Sequence, residues 1–326
     1  MPGPLHKLVS ISRFAAFRLT GRRVPLAVYW KITWRCNLSC DYCGVSTRRG
    51  PELPTPTLVR LLEEAAAAGV YRVTLSGGEP LMQRDLGTLI RTLTARGVSV
   101  GLDSNGALVP QRMDALRGIS DATISLDGGP RVHDAQRGDG SHAAAVAGVE
   151  ALRRAGVPVV LASVITARNH ADVDAVLDAA ADLGAVALFQ PATPWRHDST
   201  LPNPLSPERD QLLEAFARLR RHRHAGRLAN TRAYMDSFQA WPRMPRLPCP
   251  GGRVAAVVNP DGRVGCCDFD VPPDPWRDGV EFGFAEAFAA LPAPPPCDRC
   301  SCATTASVQR ALTLEPGALL DLLRRT

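Results

Sequence analysis

Residues 24–43 read VPLAVYWKITWRCNLSCDYC, an apolar run that leads directly into three cysteines. Cys36, Cys40 and Cys43 are separated by three and by two residues. Thiolates are the ligands of iron–sulfur clusters, and three close ones would hold three irons of a four-iron cubane and leave the fourth iron open. A zinc loop would present a second ligand pair nearby, whereas here no further histidine or cysteine follows before His133. The spacing therefore favours a catalytic cluster.

Composition excludes several classes of protein. The chain has 326 residues, 45% of them hydrophobic, which suffices for one large domain or two unequal ones. Nine cysteines, an odd number at irregular spacing, argue against a secreted disulfide framework and for a reducing cytosol. The net charge of +6 comes with no nucleic-acid-binding motif, and no apolar run reaches the ~18 residues of a membrane span. We therefore expect a cytoplasmic protein that binds no nucleic acid.

Strand and helix patterns alternate six times after Val24. This alternation predicts a parallel sheet with outer helices, either doubly wound or closed into a partial barrel. In a barrel the chemistry lies at the carboxyl ends of the strands, and the three cysteines follow the first strand. The strands are predicted at Val28–Thr33, Tyr71–Leu75, Val98–Leu102, Ala122–Leu126, Val157–Ile165 and Ala185–Phe189, and the helices at Thr55–Gly69, Asp85–Arg96, Gln111–Arg117, Ser141–Ala155 and His170–Leu183.

The cysteine spacing, with an aromatic residue before the last cysteine, resembles that of the radical S-adenosylmethionine (SAM) superfamily. Ser76-Gly-Gly-Glu-Pro80 after the second strand matches that family's Gly-Gly-Glu-Pro motif. The resemblance implies an α/β fold, a partial (β/α)6 TIM-like barrel. It also implies a catalytic [4Fe-4S] cluster, SAM bound to the open iron, and cleavage of SAM to a 5′-deoxyadenosyl radical after an electron arrives from a flavodoxin- or ferredoxin-type donor.

The same resemblance implies which residues bind SAM. The Gly-Gly-Glu-Pro residues would hold the amino group, and residues after strands three to five would contact the ribose and the carboxylate. For each of them a turn residue that satisfies loop backbone is the alternative, and Thr166 and Asn169 after strand five are further candidates. The implied cofactor-binding set is Tyr42, Gly77, Gly78, Glu79, Pro80, Ser104, Asn105, Ser125, Asp127 and Arg137.

A second set of cysteines lies near the C-terminus, around a hairpin that turns at Asn259-Pro-Asp-Gly262. The set could form a zinc ribbon. After a radical SAM core it resembles the auxiliary-cluster domain called SPASM, or its shorter form, twitch. Cys266 and Cys267 are adjacent strand residues that face opposite sides, and the family's count from Gly262 selects Cys267. We therefore expect one auxiliary [4Fe-4S] cluster with the ligands Cys249, Cys267, Cys297 and Cys300.

These patterns divide the chain into four parts. Residues 1–23, apolar and basic, predict a short helix packed on the barrel, with a membrane-surface helix as the alternative. Residues 24–195 would form the barrel. Residues 196–248 would form a linker with a helix at Pro207–Arg227, and residues 249–326 a twitch/SPASM-like domain.

Three residues are candidates for the chemistry at the substrate. Cys266 and Cys302, which are left over from the ligand set, fit either small buried residues or a donor of hydrogen to a substrate radical, as in an epimerase. Asp268 follows a predicted ligand and could act as a general base or cap the hairpin.

The chemistry implied by the resemblance is hydrogen abstraction from an unactivated carbon, but the substrate remains open. A small polar natural product of sugar or aminocyclitol type, epimerised or dehydrogenated, is favoured by the single auxiliary cluster and by the short segment before Cys36. The alternative is maturation of a ribosomal peptide or protein by epimerisation, oxidation or cross-linking. A zinc-binding structural protein is the alternative from another class.

Overall fold

The protein is described here by a computed structural model that covers residues 12–15, 17, 19–195, 202–267, 276–292, 298 and 300–303. Within these residues nine strands form one sheet: β1 (Ala27–Lys31), β2 (Arg72–Ser76), β3 (Ser99–Ser104), β4 (Asp121–Ser125), β5 (Val159–Ile165), β6 (Val186–Pro191), β7 (Ala255–Val258), β8 (Arg263–Gly265) and β9 (Trp276–Asp278). Their order in the sheet is β6-β5-β4-β3-β2-β1-β7-β8-β9.

The first six strands are parallel and neighbour one another in sequence order, as a partial (β/α)6 barrel requires. Helices connect them. The α-helices are α1 (Thr55–Ala67), α2 (Leu86–Thr94), α3 (Val109–Arg112), α4 (Pro130–Arg137), α5 (Ser141–Arg154), α6 (Val173–Asp182), α7 (Arg209–Arg221), α8 (Arg232–Asp236), α9 (Gly279–Phe282) and α10 (Phe284–Ala289).

The two faces of the parallel strands differ in polarity. Side chains such as Trp30 and Leu75 are buried on the face covered by helices, where they join the main hydrophobic core. Successive side chains of a strand point to opposite faces. The alternate residues Tyr29, Asp103 and Thr123 are polar and only partly buried. The inner face of the barrel is therefore a polar wall beneath the carboxyl ends of the strands.

The predicted order of strands is confirmed, and the differences concern shorter elements. The predicted helix Gln111–Arg117 is instead α3 followed by a 3-10 turn at Met113–Leu116. Helix α4 was not predicted, because its eight residues are mostly polar and lack a hydrophobic period. The helix predicted at Pro207–Arg227 is shorter at both ends: α7 begins after a capping box between Glu208 and Gln211, and it ends at Arg221, because His222 is extended.

The C-terminal hairpin, which the sequence predicts, extends the barrel sheet. β7 pairs in parallel with β1, and β8 and β9 follow in antiparallel order. Helix α10 packs on the same side as the barrel helices, and the ring of Phe284 stacks on Trp30 with centroids 6.1 Å apart. The hairpin strands thus extend the sheet on the side of β1 that does not pair with β2, and helix α10 extends the hydrophobic core there.

Two features concern the surface. Arg218 in α7 and Arg223 just after it form ion pairs with helix α6, to Asp174 (2.5 Å) and to Asp178 (2.8 Å). In the described part of residues 1–23, Phe17 is buried against Val254 in a small hydrophobic cluster separate from the main core. No helix among the described residues has the length and apolar character needed to cross a membrane.

Candidate active site

The cysteine loop, residues 35–44, begins four residues after β1 ends, at the carboxyl end of the sheet. Cys36, Cys40 and Cys43 are all partly buried, and a turn joins the Cys43 amide to the carbonyl of Cys40 at 3.1 Å. Burial raises the pKa of Cys36, and it raises the pKa of Cys40 to about 12. The neighbouring thiols of the loop also contribute to raising the pKa of both groups, whereas the guanidinium of Arg137 acts in the opposite direction. The three thiols thus lie close enough to influence one another.

The donor set of this loop fits an iron–sulfur cluster. It consists of thiols, and thiolates are the ligands that hold such clusters. In the part of the chain that the structure describes, no three His, Cys, Asp or Glu side chains are arranged to hold a single metal ion. Because thiols bind metals as thiolates, loading the loop would release the protons that burial retains.

The Gly-Gly-Glu-Pro stretch lies against the chain that enters the cysteine loop. The amide of Gly78 donates to the carbonyl of Thr33, and that of Glu79 to the carbonyl of Arg35, both at 2.8 Å. A Cβ on Gly77 would lie 2.3 Å from the Thr33 oxygen, and one on Gly78 would lie 2.2 Å from the Arg35 oxygen. The two glycines are therefore required for contact with the protein's own backbone, which they hold in place.

Glu79 is fully buried and joins the ends of β2 and β3. Its Oε1 accepts hydrogen bonds from Ser104 Oγ (2.9 Å) and from the Leu81 amide (3.0 Å), and its Oε2 accepts one from the Asn105 amide (2.9 Å). Burial raises the pKa of Glu79, and these hydrogen bonds act in the opposite direction. Asn105 in turn donates to Asn37 of the cysteine loop at 2.8 Å. The structure thus brings together the predicted residues Glu79, Ser104 and Asn105.

Asp127, after β4, is the centre of a second buried network. Its Oδ2 accepts hydrogen bonds from Tyr42 Oη (2.8 Å) and Arg137 Nε (2.5 Å), and its Oδ1 accepts one from the Val164 amide (2.8 Å). Arg137 also contacts Cys40, with Nη1 at 3.9 Å from Sγ. Three predicted residues from separate segments therefore meet beside one predicted cluster ligand.

Residues to which the sequence analysis assigns no role also support this network. The Asp127 amide donates to His133 Nδ1 at 3.1 Å, and burial lowers the pKa of His133 to about 4. The carbonyl of Gln136 accepts from the Asp41 amide at 3.1 Å, and Asp41 forms an ion pair with Arg168. The signal in the sequence is the spacing of His133, Gln136 and Arg137, which puts three polar residues on one helix face.

The other candidates after β4 and β5 occupy different positions. Ser125, at the end of β4, is partly exposed and pairs with Ala162 of β5. Asn169 Nδ2 donates to the carbonyls of Asp127 (2.7 Å) and Val164 (2.9 Å), and its Oδ1 accepts from the Thr166 amide (2.6 Å). Thr166 and Asn169 therefore hold the loop backbone, which is the alternative that the sequence left open.

The C-terminal cysteine region comprises residues 249–252, 266–267 and 300–302. Cys266 lies beside Cys249: burial and then Cys249 raise its pKa to about 11, and its Sγ is 3.6 Å from the carbonyl of Pro292. Cys300 and Cys302 lie near Tyr234, whose hydroxyl donates to the carbonyl of Ser301 at 2.7 Å. Cys297 and Asp268 lie outside the described residues, so the predicted ligand set stays a prediction.

A partial barrel with a three-thiol loop at the carboxyl end of its first strand defines a class of protein. Residues 30–180 match the Radical SAM superfamily. The chain is 31% identical to the PqqA peptide cyclase of Ruegeria pomeroyi over 82% of its own length and 78% of that protein. The protein belongs to the radical SAM superfamily, in the group with SPASM or twitch domains, and is a radical SAM enzyme.

Particular relatives differ in how far the similarity extends. The AdoMet-dependent heme synthase of Methanosarcina barkeri is 36% identical over 50% of the chain, and the mycofactocin maturase MftC of Mycolicibacterium smegmatis is 29% identical over 77%. The chain spans 49% and 66% of the lengths of these two proteins. Streptococcus suis SuiB bound to the precursor peptide SuiA shares the fold, with a TM-score of 0.69 at 13% identity over 91% of this chain and 71% of SuiB.

Proposed function

We propose that this radical SAM enzyme modifies a ribosomally made peptide or protein. The proposal rests on how much of the chain each relative matches. The match to the heme synthase covers 171 residues, about the length of the barrel, whereas the matches to the maturase and the peptide cyclase cover 259 and 300 residues. The similarity to the peptide cyclase, over 82% of the chain, thus extends beyond the barrel. This supports the peptide alternative over the sugar or aminocyclitol substrate.

The residues of the candidate site would serve two purposes, binding the iron–sulfur cluster and binding SAM. Cys36, Cys40 and Cys43 would hold the [4Fe-4S] cluster. The Gly-Gly-Glu-Pro stretch and the residues that follow β3 and β4 would hold SAM. When bound, the two would supply a radical that removes a hydrogen atom from an unactivated carbon. Glu79 keeps the ends of β2 and β3 at a fixed separation, since its carboxylate accepts from both sides.

The C-terminal cysteines would serve the oxidation that follows. We infer one auxiliary [4Fe-4S] cluster with Cys249, Cys267, Cys297 and Cys300 as ligands, and a ferredoxin- or flavodoxin-type electron donor. The segment before Cys249 is tied to the segment that carries Cys300, because the Met244 amide donates to the carbonyl of Asp298 at 2.5 Å. This contact supports a shared ligand set from the two segments.

Substrate-dependent cleavage of SAM tests the proposal. The reconstituted, reduced enzyme is incubated with SAM and either short peptides encoded beside its gene or a panel of sugars and aminocyclitols. We expect a peptide to stimulate SAM cleavage and to change in mass by loss or exchange of hydrogen. The Cys36/Cys40/Cys43→Ala variant is the control and should change nothing. Stimulation and product formation with a sugar or aminocyclitol alone would contradict the proposal.

A further inference from the structure

The turn that follows the cysteine loop carries two adjacent arginines. Residues 45–49, named the arginine turn below, begin with a 3-10 helix at Val45–Thr47, and Arg48 and Arg49 come shortly after the predicted ligand Cys43. The Arg48 amide donates to the carbonyl at the start of that helix at 3.0 Å, which closes the turn. Arg48 is half-buried and Arg49 is exposed. The turn therefore presents two guanidinium groups beside the predicted cluster.

A buried tryptophan fixes the first of these arginines. The guanidinium carbon of Arg48 lies 4.1 Å from the centre of the Trp34 ring, and a Cβ on Gly50 would lie 3.0 Å from the indole nitrogen. Trp34 comes just before Cys36 and Arg48 just after Cys43, so the stacked pair joins the two ends of the cysteine loop. An arginine that stacks on a ring by its face keeps the N–H groups of its edge for carboxylates.

The charge of the arginine turn is not balanced by its surroundings. Residues 31–52 contain two carboxylates, and both already pair with an arginine outside the turn: Asp41 with Arg168, and Glu52 with Arg35 at 3.4 Å. In the part of the chain that the structure describes, neither arginine of the turn forms an ion pair. The exposed one donates to backbone carbonyls of the turn itself. The turn is thus a fixed positive surface next to the cysteine loop.

We propose that the arginine turn is the docking surface for an acidic one-electron carrier protein, of flavodoxin or ferredoxin type, that reduces the catalytic cluster. The carrier loses one electron and the cluster gains one, and no bond forms or breaks. Electron transfer slows steeply with distance, so the carrier must dock close to the cluster. Opposite charges steer an acidic partner to a positive surface. Such docking presupposes the electron donor inferred above and does not depend on the substrate.

Reversal of the two charges should slow reduction by the carrier. Electron-transfer encounters bury little surface, so charge decides much of their association rate. For Arg48→Glu/Arg49→Glu we expect the second-order rate constant of reduction by reduced flavodoxin to fall about tenfold or more at low ionic strength. Added salt should slow the wild type and affect the variant much less. Reduction by photoreduced deazariboflavin, a small uncharged dye, should not change, because the variant keeps the cluster ligands.

Arg117→Glu/Arg154→Glu is the matched control, since it changes the net charge by the same amount. These two arginines precede β4 and β5, so they lie at the amino ends of the strands, away from the cysteine loop. Their side chains are exposed, and each pairs with a carboxylate on the surface, where an ion pair contributes little to stability. The rate constant of this control should stay within about twofold of wild type.

The experiment uses the anaerobically reconstituted full-length protein without SAM or peptide. It is mixed with reduced flavodoxin, or with a reduced acidic ferredoxin, frozen at set times and followed by electron paramagnetic resonance. The catalytic cluster is identified as the signal that changes when SAM is added to a parallel sample. Calorimetric titration with oxidised flavodoxin measures docking without electron transfer, and the dissociation constant of Arg48→Glu/Arg49→Glu should rise about tenfold.

Several results would overturn the docking surface. They are equal rate constants for wild type and Arg48→Glu/Arg49→Glu, an equal loss in the control, and a wild-type protein that the dye reduces but neither carrier does. If the double variant loses iron, Arg49→Glu replaces it, because this side chain is exposed, and it should slow reduction about threefold. Arg49→Glu that loses iron, or that keeps it and is reduced at the wild-type rate, would limit the turn to a structural role. These outcomes are independent of the peptide substrate, because no substrate is present.

Discussion

The cysteine loop and the C-terminal cysteine region are held by the protein in different ways. The cysteine loop is fixed from three sides, by the backbone of Gly78 and Glu79, by Asn105 and by the buried pair of Asp127 and Arg137. In the C-terminal region, Cys266 follows β8, a strand of three residues, and its Sγ lies 3.6 Å from the carbonyl of Pro292, while the carbonyl of Ser301 accepts a hydrogen bond from Tyr234. The barrel therefore holds the first site in place before any metal binds, and we expect the second, which follows a short strand near the sheet edge, to depend more on its own ligand.

The largest expected effect is on the iron content per chain, to which the two regions should contribute separately. Replacing Cys36, Cys40 and Cys43 with alanine should remove about four of about eight irons per chain and abolish SAM cleavage. Replacing Cys249, Cys267 and Cys300 should remove the other irons but leave the signal that responds to SAM. Iron and sulfide are measured after anaerobic reconstitution. A wild-type content of about four irons that falls to none in the first variant would exclude the auxiliary cluster.

The same measurement decides between the adjacent cysteines of the hairpin. The count of residues from Gly262 selects Cys267 as the ligand, whereas the structure places Cys266 beside Cys249. We expect Cys267→Ala to lower the iron content by up to about four per chain and Cys266→Ala to leave it unchanged. The reverse result would assign the ligand to Cys266.

The next effect tests how strongly the first region is preformed. Asp127→Ala leaves Arg137 buried without its partner, so the unfolding free energy of the metal-free protein should fall by about 3–5 kcal/mol. Chemical denaturation measures it. The control is Asp114→Ala, which breaks the ion pair of Asp114 with Arg117 on the surface and should leave the unfolding free energy unchanged. A cost for Asp127→Ala no larger than that of the control would mean that the network does not stabilise the metal-free site.

A glycine in each region gives a closer comparison. A Cβ at Gly78 would lie 2.2 Å from the Arg35 oxygen, and one at Gly251 would lie 2.1 Å from the Cys266 oxygen. Both backbones must move, but Cys266 follows a short strand near the sheet edge, so it can yield more easily. We expect Gly78→Ala to cost about 1–3 kcal/mol of unfolding free energy and Gly251→Ala less. Gly226→Ala, with nothing within 4 Å, is the control. Equal costs for Gly78 and Gly251 would contradict the difference between the regions.

The sequence predicts the barrel well because each strand carries its own apolar pattern within a few residues. It does not predict the pairing of β1 with β7, because that pairing joins residues more than two hundred positions apart and leaves no local signal. The structure places the Gly-Gly-Glu-Pro stretch beside the cysteine loop, where its backbone contacts are to the protein itself, and its contact with SAM stays a prediction. The substrate could not be predicted, because the matched motifs belong to the generation of the radical and not to its target.

The smallest effect concerns protonation beneath the first region, where His133 accepts from the Asp127 amide. An unfolded histidine binds a proton near pH 6.5, whereas burial lowers the pKa of His133 to about 4. Between these pH values the unfolded state binds more protons, so the unfolding free energy falls as the pH falls, by about 1 kcal/mol from pH 7 to 5.5. His133→Asn should flatten this slope.

Asp103 should act in the opposite direction, because burial raises the pKa of this carboxyl to about 6 and the folded state then gains the proton first. Asp103→Asn should therefore steepen the slope. Denaturation of the metal-free protein across this range measures both, and slopes that match wild type would show that neither group titrates differently on folding.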